Sequence, residues 1–256
     1  MGATPLTVEM EKDGALLRLR LSRPKANIVD AAMIAALRSA LDLHLSGARL
    51  RAVLLEAEGP HFSFGASVEE HLPGSAAAML RDLHALILQL VGSPVPVLVA
   101  VRGQCLGGGL ELAAAGHLIF AAPGAMFGQP EIKLGVFAPA ASCLLPERIG
   151  QSRAEDLLFS GRSIGAEEAH RIGLVNALSD DPGAAALAYF EEHYAPRSAS
   201  SLRLAVRAAR FDFVARVRRK LAEVERLYLK ELMATHDAVE GLTAFIAKRP
   251  PVWEDR

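Results

Sequence analysis

Between Leu16 and Leu21 apolar residues alternate with Arg18 and Arg20, the two-residue period of a half-buried strand. Helical spacing follows in AAMIAALRSALDLHL, and Asp30 stands where it can cap the start of that helix. Residues 51–56 (RAVLLE) read as a buried strand, so the first sixty residues read strand, strand, helix, strand. A second helix is expected over about 75–91. Pro94 and Pro96 end it, and 97–101 is the next strand. Glycine then concentrates in GQCLGGGLELAAAG, ahead of the apolar run HLIFAA. Short helices and loops are expected to about residue 195, and 198–248 is helical throughout. The pattern predicts an α/β core over 1–195 and a helical region over 196–256, with no internal repeat.

Composition narrows the function. The 256 residues carry 28 basic and 29 acidic side chains, a net charge of −1, which argues against a nucleic-acid footprint or a membrane-adhering basic face. Arg216, Arg218, Arg219 and Lys220 read as a solvated helix face. The chain is 51% hydrophobic, so it can bury a full core and is not disordered. Cys105 and Cys143 lie in apolar stretches without CxxC spacing, and the eight histidines include no HExxH, so neither disulfides nor a metal is expected. The start, MGATPLTVEM, has no apolar signal core, and the apolar stretch over 83–101 is interrupted by glycine and two prolines. A soluble cytoplasmic protein is expected.

Three segments depart from a plain core. In residues 62–67 (FSFGAS), Gly65 permits a positive φ and a close approach of a ligand to the main chain, although an ordinary tight connection fits as well. In GGGLE (107–111), the three glycines place free amides at a helix start, where the dipole attracts negative charge. Leu112 breaks GxGxxG and no GK[ST] follows, so a nucleotide loop is excluded. Glu111 lies three residues after Gly108, about 4.5 Å along the axis and on nearly the same face. Among apolar neighbours, its carboxylate needs a partner or a raised pKa. A capping or salt-bridged acid is the alternative. In FGQPEIKLG (127–135), Glu131 is a second isolated acid, with Lys133 or Arg148 as a conceivable ion-pair partner. Two such carboxyls close in space would raise at least one pKa, as acid–base chemistry near neutrality requires.

Taken together, RPKANIVD, the phenylalanine loop, GQCLGGGLELA, FGQPEIKLGV and the ending THDAVEGLTAFIAKRPPVW resemble, in order and along most of the chain, the crotonase (enoyl-CoA hydratase/isomerase) superfamily. The resemblance implies a spiral of ββα turns, C-terminal helices that drive a homotrimer or a dimer of trimers, and an acyl-CoA thioester substrate. Coenzyme A is then part of the substrate and no further cofactor is implied. The backbone amides of Ala66 and Gly108 would form an oxyanion hole, worth about 3–4 kcal/mol per donor in comparable sites. Lys25, Ala26, Phe64, Ala66 and Val68 would lie along coenzyme A. Glu111 would act chiefly as base on a water, and Glu131 would exchange the proton at carbon. Phe64, Phe137, His61, Met79 and Pro139 are candidates for lining the acyl pocket.

The chain departs from the family pattern at Ser67, His117 and 138–142 (APAAS). In straight-chain hydratases a glycine amide at the position of Pro139 helps to place the water, and proline has no N–H. His117 reads as a satisfied structural histidine, and a nucleophile pair with Ser142 lacks a third member. HFSFGASVEEHLP, GQCLGGGLELA and GVFAPAAS resemble the branch of the family that hydrates cyclohexa-1,5-diene-1-carbonyl-CoA to a hydroxycyclohexene thioester. Ordinary enoyl-CoA hydration, double-bond isomerisation, thioester hydrolysis and a non-catalytic binding role are the competing readings.

Overall fold

The alternation in Leu16–Leu21 (β2) separates two environments. Leu17, Leu19 and Leu21 enter the main core, while Leu16 joins a second apolar cluster on the other side of the sheet. Arg18 and Arg20 share that second face; Arg20 Nε donates to Glu56 at 2.9 Å and Arg18 Nε lies 3.2 Å from Glu11. The computed structural model describes residues 4–256. Leu6–Glu11 (β1) pairs antiparallel with β2, and Ala52–Ala57 (β3), Val97–Val101 (β4), Leu118–Ala121 (β6) and Ala177–Leu178 (β9) extend the sheet in parallel. Parallel neighbours require crossovers. Ala31–His44 (α1) and Ala76–Val91 (α2) provide the first two, and β4, fully buried, sits between covered faces. Asp30 caps α1 as expected, accepting the Met33 N–H at 2.9 Å.

Gln104–Leu106 (β5), Met126–Gly128 (β7) and Ser163–Gly165 (β8) form a smaller sheet, and Gly108–Ala115 (α3) starts directly from β5. Pro139–Ile149 (α4), Gln151–Ser160 (α5), Ala166–Arg171 (α6) and Pro182–Tyr189 (α7) fill the stretch read as short helices and loops. The long helix Ala199–Lys230 (α8) packs on α2 and α4, and His236–Ile246 (α9) packs on the turn Pro130–Leu134. The C-terminal region, expected to serve assembly, therefore also lies against the turn that carries Glu131. Among the described residues no helix is long and apolar enough to cross a membrane.

Every residue of α3 is buried, so the carbonyls at its end need partners within the protein. Arg148 supplies two bonds, from Nε to Ala114 O at 2.6 Å and from the guanidinium to Gly116 O. Arg210 of α8 donates to the same Gly116 O at 2.8 Å and to Val91 O at 3.0 Å. Burial holds both guanidinium pKa values down to about 10, and the Arg210 charge adds to the effect on Arg148. His117 accepts the Val97 N–H at Nδ1 (3.0 Å). Burial and the two cations push its pKa down to about 2, so the ring is neutral. Its Nε2 is buried without a partner, so the expected satisfied histidine is satisfied on one nitrogen alone. Ser142 Oγ donates to Ala138 O, which leaves no Ser–His pair.

Arg148→Ala removes two charge-assisted bonds from the end of α3. It should cost about 3 kcal/mol, read as a lower urea midpoint. Arg148→Lys should fall in between, because an ammonium cannot reproduce the planar fork.

Candidate active site

Two loops meet where α3 begins. Phe62 N–H donates to Arg102 O (2.9 Å), Ser63 N–H to Gln104 O (3.0 Å) and Leu106 N–H to Ser63 O (3.0 Å), which lays the phenylalanine loop along β5. The turn before α1 is fastened to the same loop, with Phe64 N–H on Ala26 O and Val29 N–H on Gly65 O, both at 2.9 Å. The approach is close enough that a Cβ on Gly108 would lie 3.0 Å from Ala66 N, and one on Gly109 would lie 2.6 Å from Ser63 Cβ. Gly65 (φ +114°) and Gly107 (φ +51°) hold backbone conformations that other residues rarely adopt. Among the described residues the N–H groups of Ala66 and Gly108 have no acceptor. Two unpaired amides therefore converge at the positive end of a buried helix whose negative end is held by two arginines.

These amides open on a cavity of about 350 Å³. Phe64, Ala66, Val68, Gly108, Glu111, Glu131, Phe137 and Pro139 line it, so most of the residues picked out in the sequence come together there. Four do not line it, His61 among them. Met79 is buried in the main core, Lys25 is exposed on the turn before α1, and Ala26 touches the loop through its carbonyl. His61 packs edge-on against Phe64, with ring centroids 4.9 Å apart. His71, Leu80, Leu83, Val136, Leu242 and Phe245 also line it without having been singled out in the sequence, and Lys133 reaches it as well. Leu80 and Leu83 belong to an α2 stripe that is apolar for core and cavity alike, so periodicity could not separate them. Leu242 and Phe245 lie in the EGLTAF stretch of the C-terminal motif, which was visible as a motif but not as a wall.

Both glutamates face this cavity, and neither is in an ion pair among the described residues. The salt-bridge alternatives therefore fall away: Lys133 is exposed, and Arg148 is engaged at the end of α3. Glu111 is 3% exposed and accepts the Ala141 N–H at 2.8 Å, a free donor at the start of α4. Burial pushes its carboxyl up to about 7, with the Ala141 and Ala140 amides pulling the other way. Glu131 sits in the turn Pro130–Leu134, whose entry is fixed by Gly107 N–H donating to Gly128 O (2.9 Å). Burial and the nearby Glu111 charge push Glu131 up to about 8. A Cβ at position 107 would stand 2.6 Å from Glu131 Oε1, so the place of that carboxyl depends on the glycine too. With its amide turned to donate, the buried Gln129 reaches both Glu131 oxygens, at 2.9 and 3.1 Å. Two carboxyl groups that titrate near neutrality beside unpaired amides can take a proton from water, give one to carbon and hold a developing oxyanion.

The sequence profile of the enoyl-CoA hydratase/isomerase family matches residues 11–256. The cyclohexa-1,5-dienecarbonyl-CoA hydratase of Thauera aromatica is 68% identical over 254 residues, covering 99% of this chain and 98% of that protein. A probable enoyl-CoA hydratase of Bacillus subtilis (strain 168) is 31% identical, covering 95% of this chain and 97% of its own. Among solved structures, an enoyl-CoA hydratase/isomerase from Pseudoalteromonas atlantica T6c superposes with a TM-score of 0.84 at 28% identity, covering 97% of this chain and 99% of its own. With its two loops, its glycine-started helix and its two cavity glutamates in that order, the chain belongs to the enoyl-CoA hydratase/isomerase family, the crotonase fold.

Proposed function

We infer that the protein is a hydro-lyase that adds water to cyclohexa-1,5-diene-1-carbonyl-CoA, giving a hydroxycyclohexene-carbonyl-CoA. The observation that carries this reading is the 68% identity over 99% of the chain to a hydratase of that name, in a chain that keeps both cavity glutamates. The thioester oxygen accepts from the Ala66 and Gly108 amides, and coenzyme A follows the loop past Phe64 and Val68, with Lys25 and Ala26 at its outer turn. Water attacks the β carbon as its proton passes to the Glu111 carboxylate. The electron pair moves toward the thioester oxygen, and the Glu131 carboxyl gives its proton to carbon. One water is added in total, and a proton passed from Glu111 to Glu131 resets the pair. Phe137 and Phe64, which both line the cavity, suit a ring better than a flexible chain. No cofactor enters this scheme. Self-assembly as a trimer or a pair of trimers is part of the same reading, supported by the exposed Leu204 and Phe211 on α8.

Glu111→Gln and Glu131→Gln should each lower kcat roughly 100- to 10,000-fold with binding of the thioester retained. The cyclic dienoyl thioester should outrun crotonyl-CoA in the unchanged enzyme. A preference for crotonyl-CoA would reassign it as a straight-chain hydratase, and one dispensable glutamate would point to isomerisation or hydrolysis.

The base must be ionised and the acid protonated, so activity should fall below about pH 7 and above about pH 8, as a bell belonging to the coupled pair. Both carboxyls bind protons more tightly in the folded chain, so stability should decline as pH rises from about 4.5 through about 8. Glu131→Gln should therefore melt above the unchanged protein at alkaline pH, with the gap closing below about pH 4.5. Sedimentation should give the mass of three or six chains; a monomer would contradict the assembly.

A further inference from the structure

Tyr228, on α8, is fully buried, and its hydroxyl has no hydrogen-bond partner among the described residues. Its ring packs edge-on against Phe137 (centroids 5.3 Å apart) and lies 6.5 Å from His71, and both of those residues line the cavity. Phenylalanine would fill the same space without burying an orphan donor, so the hydroxyl calls for a partner in some state of the protein. The oxygen is closed off from bulk solvent. The charges that raise the Tyr228 phenol pKa, beyond burial, are those of Glu131 and then Glu111. Glu111 already accepts the Ala141 amide, and Pro139, at the first position of α4, has no N–H to offer. Glu131 has the amide of Gln129 and its own backbone N–H, and it is the group that must become an anion when it delivers its proton.

We propose that Tyr228 is a positioning residue for Glu131, its hydroxyl donating to the Glu131 carboxylate once that group has lost its proton. The inference rests on the hydratase reading. The proton leaves Glu131 for the substrate carbon, the phenol keeps its own proton and shares it in a hydrogen bond, and the bond is released when Glu131 is reprotonated. Other groups around this turn do not compete. Burial lowers the His71 pKa, Lys133 reaches the cavity rim but forms no ion pair among the described residues, and His84 pairs with Glu225, one turn before Tyr228 on α8. From α5 and α9, which pack on the same turn, Asp156 faces Arg162 and Glu240 faces Arg249.

The test is Tyr228→Phe, which keeps the ring against Phe137 and His71. The titration of Glu131 is followed by the infrared band of its protonated carboxyl, assigned by its loss in Glu131→Gln, and this readout needs no turnover. The midpoint should move up by about one pH unit, because the anion has lost a donor. In turnover, kcat should fall about tenfold with KM within about twofold, and the melting temperature should hold or rise. An unmoved Glu131 midpoint overturns the proposal, whatever happens to the rate. A shifted midpoint in a protein that hydrates neither thioester would leave the link between Tyr228 and Glu131 standing and remove the hydratase reading instead.

Discussion

The approach of the phenylalanine loop to the amino end of α3 is the contact on which the site depends. Main chain meets main chain there, with Ala66 N close to Gly108 and Ser63 close to Gly109, and side chains at 108 or 109 would force the segments apart. The contact leaves two amides unpaired and aims them into the same cavity. It also sets the position of Glu111, because that residue is carried one turn into the helix the contact anchors. Glu131 arrives by a second route, through the bond from Gly107 to Gly128 that fixes the turn after β7. The two amides and the two carboxyls thus come from three chain segments locked at one point.

The electrostatics run along α3 from end to end. At its finish, Arg148 and Arg210 donate to the carbonyls of Ala114 and Gly116, beside the neutral His117. At its start, the free amides face a cavity that desolvates two carboxyls and lifts both toward neutrality. The cations at one end are stabilised by carbonyl dipoles, and those dipoles belong to the same row of peptide units that favours negative charge at the other end.

Much of this was legible in the sequence. The alternation at Leu16–Leu21, the cap at Asp30 and the prolines after α2 placed their elements correctly, because each is a local signal that tertiary packing did not override. The glycine run and the two isolated acids marked the site, since glycines before a helix and lone carboxyls in apolar chain are poor choices for an ordinary core. Met79 shows the limit: it shares an apolar helix with Leu80 and Leu83, and which turn of a buried helix faces an empty space rather than a neighbour is decided by the packing of other elements. Tyr228 was hidden for the opposite reason. It occupies an apolar position of a long amphipathic helix, and nothing local distinguishes it from packing.

The two unpaired amides have a consequence for how such a chain can change over generations. They belong to the peptide backbone at Ala66 and Gly108, so no exchange of side chain other than to proline deletes them while the glycine contact holds. The amides that the proposed mechanism gives to the thioester oxygen are thereby shielded from most mutations, whereas the wall formed by Phe64, Phe137, Leu242 and Phe245 is open to substitution one residue at a time. A lineage built this way can explore new acyl groups by drift in the wall without first losing its hold on the chemistry.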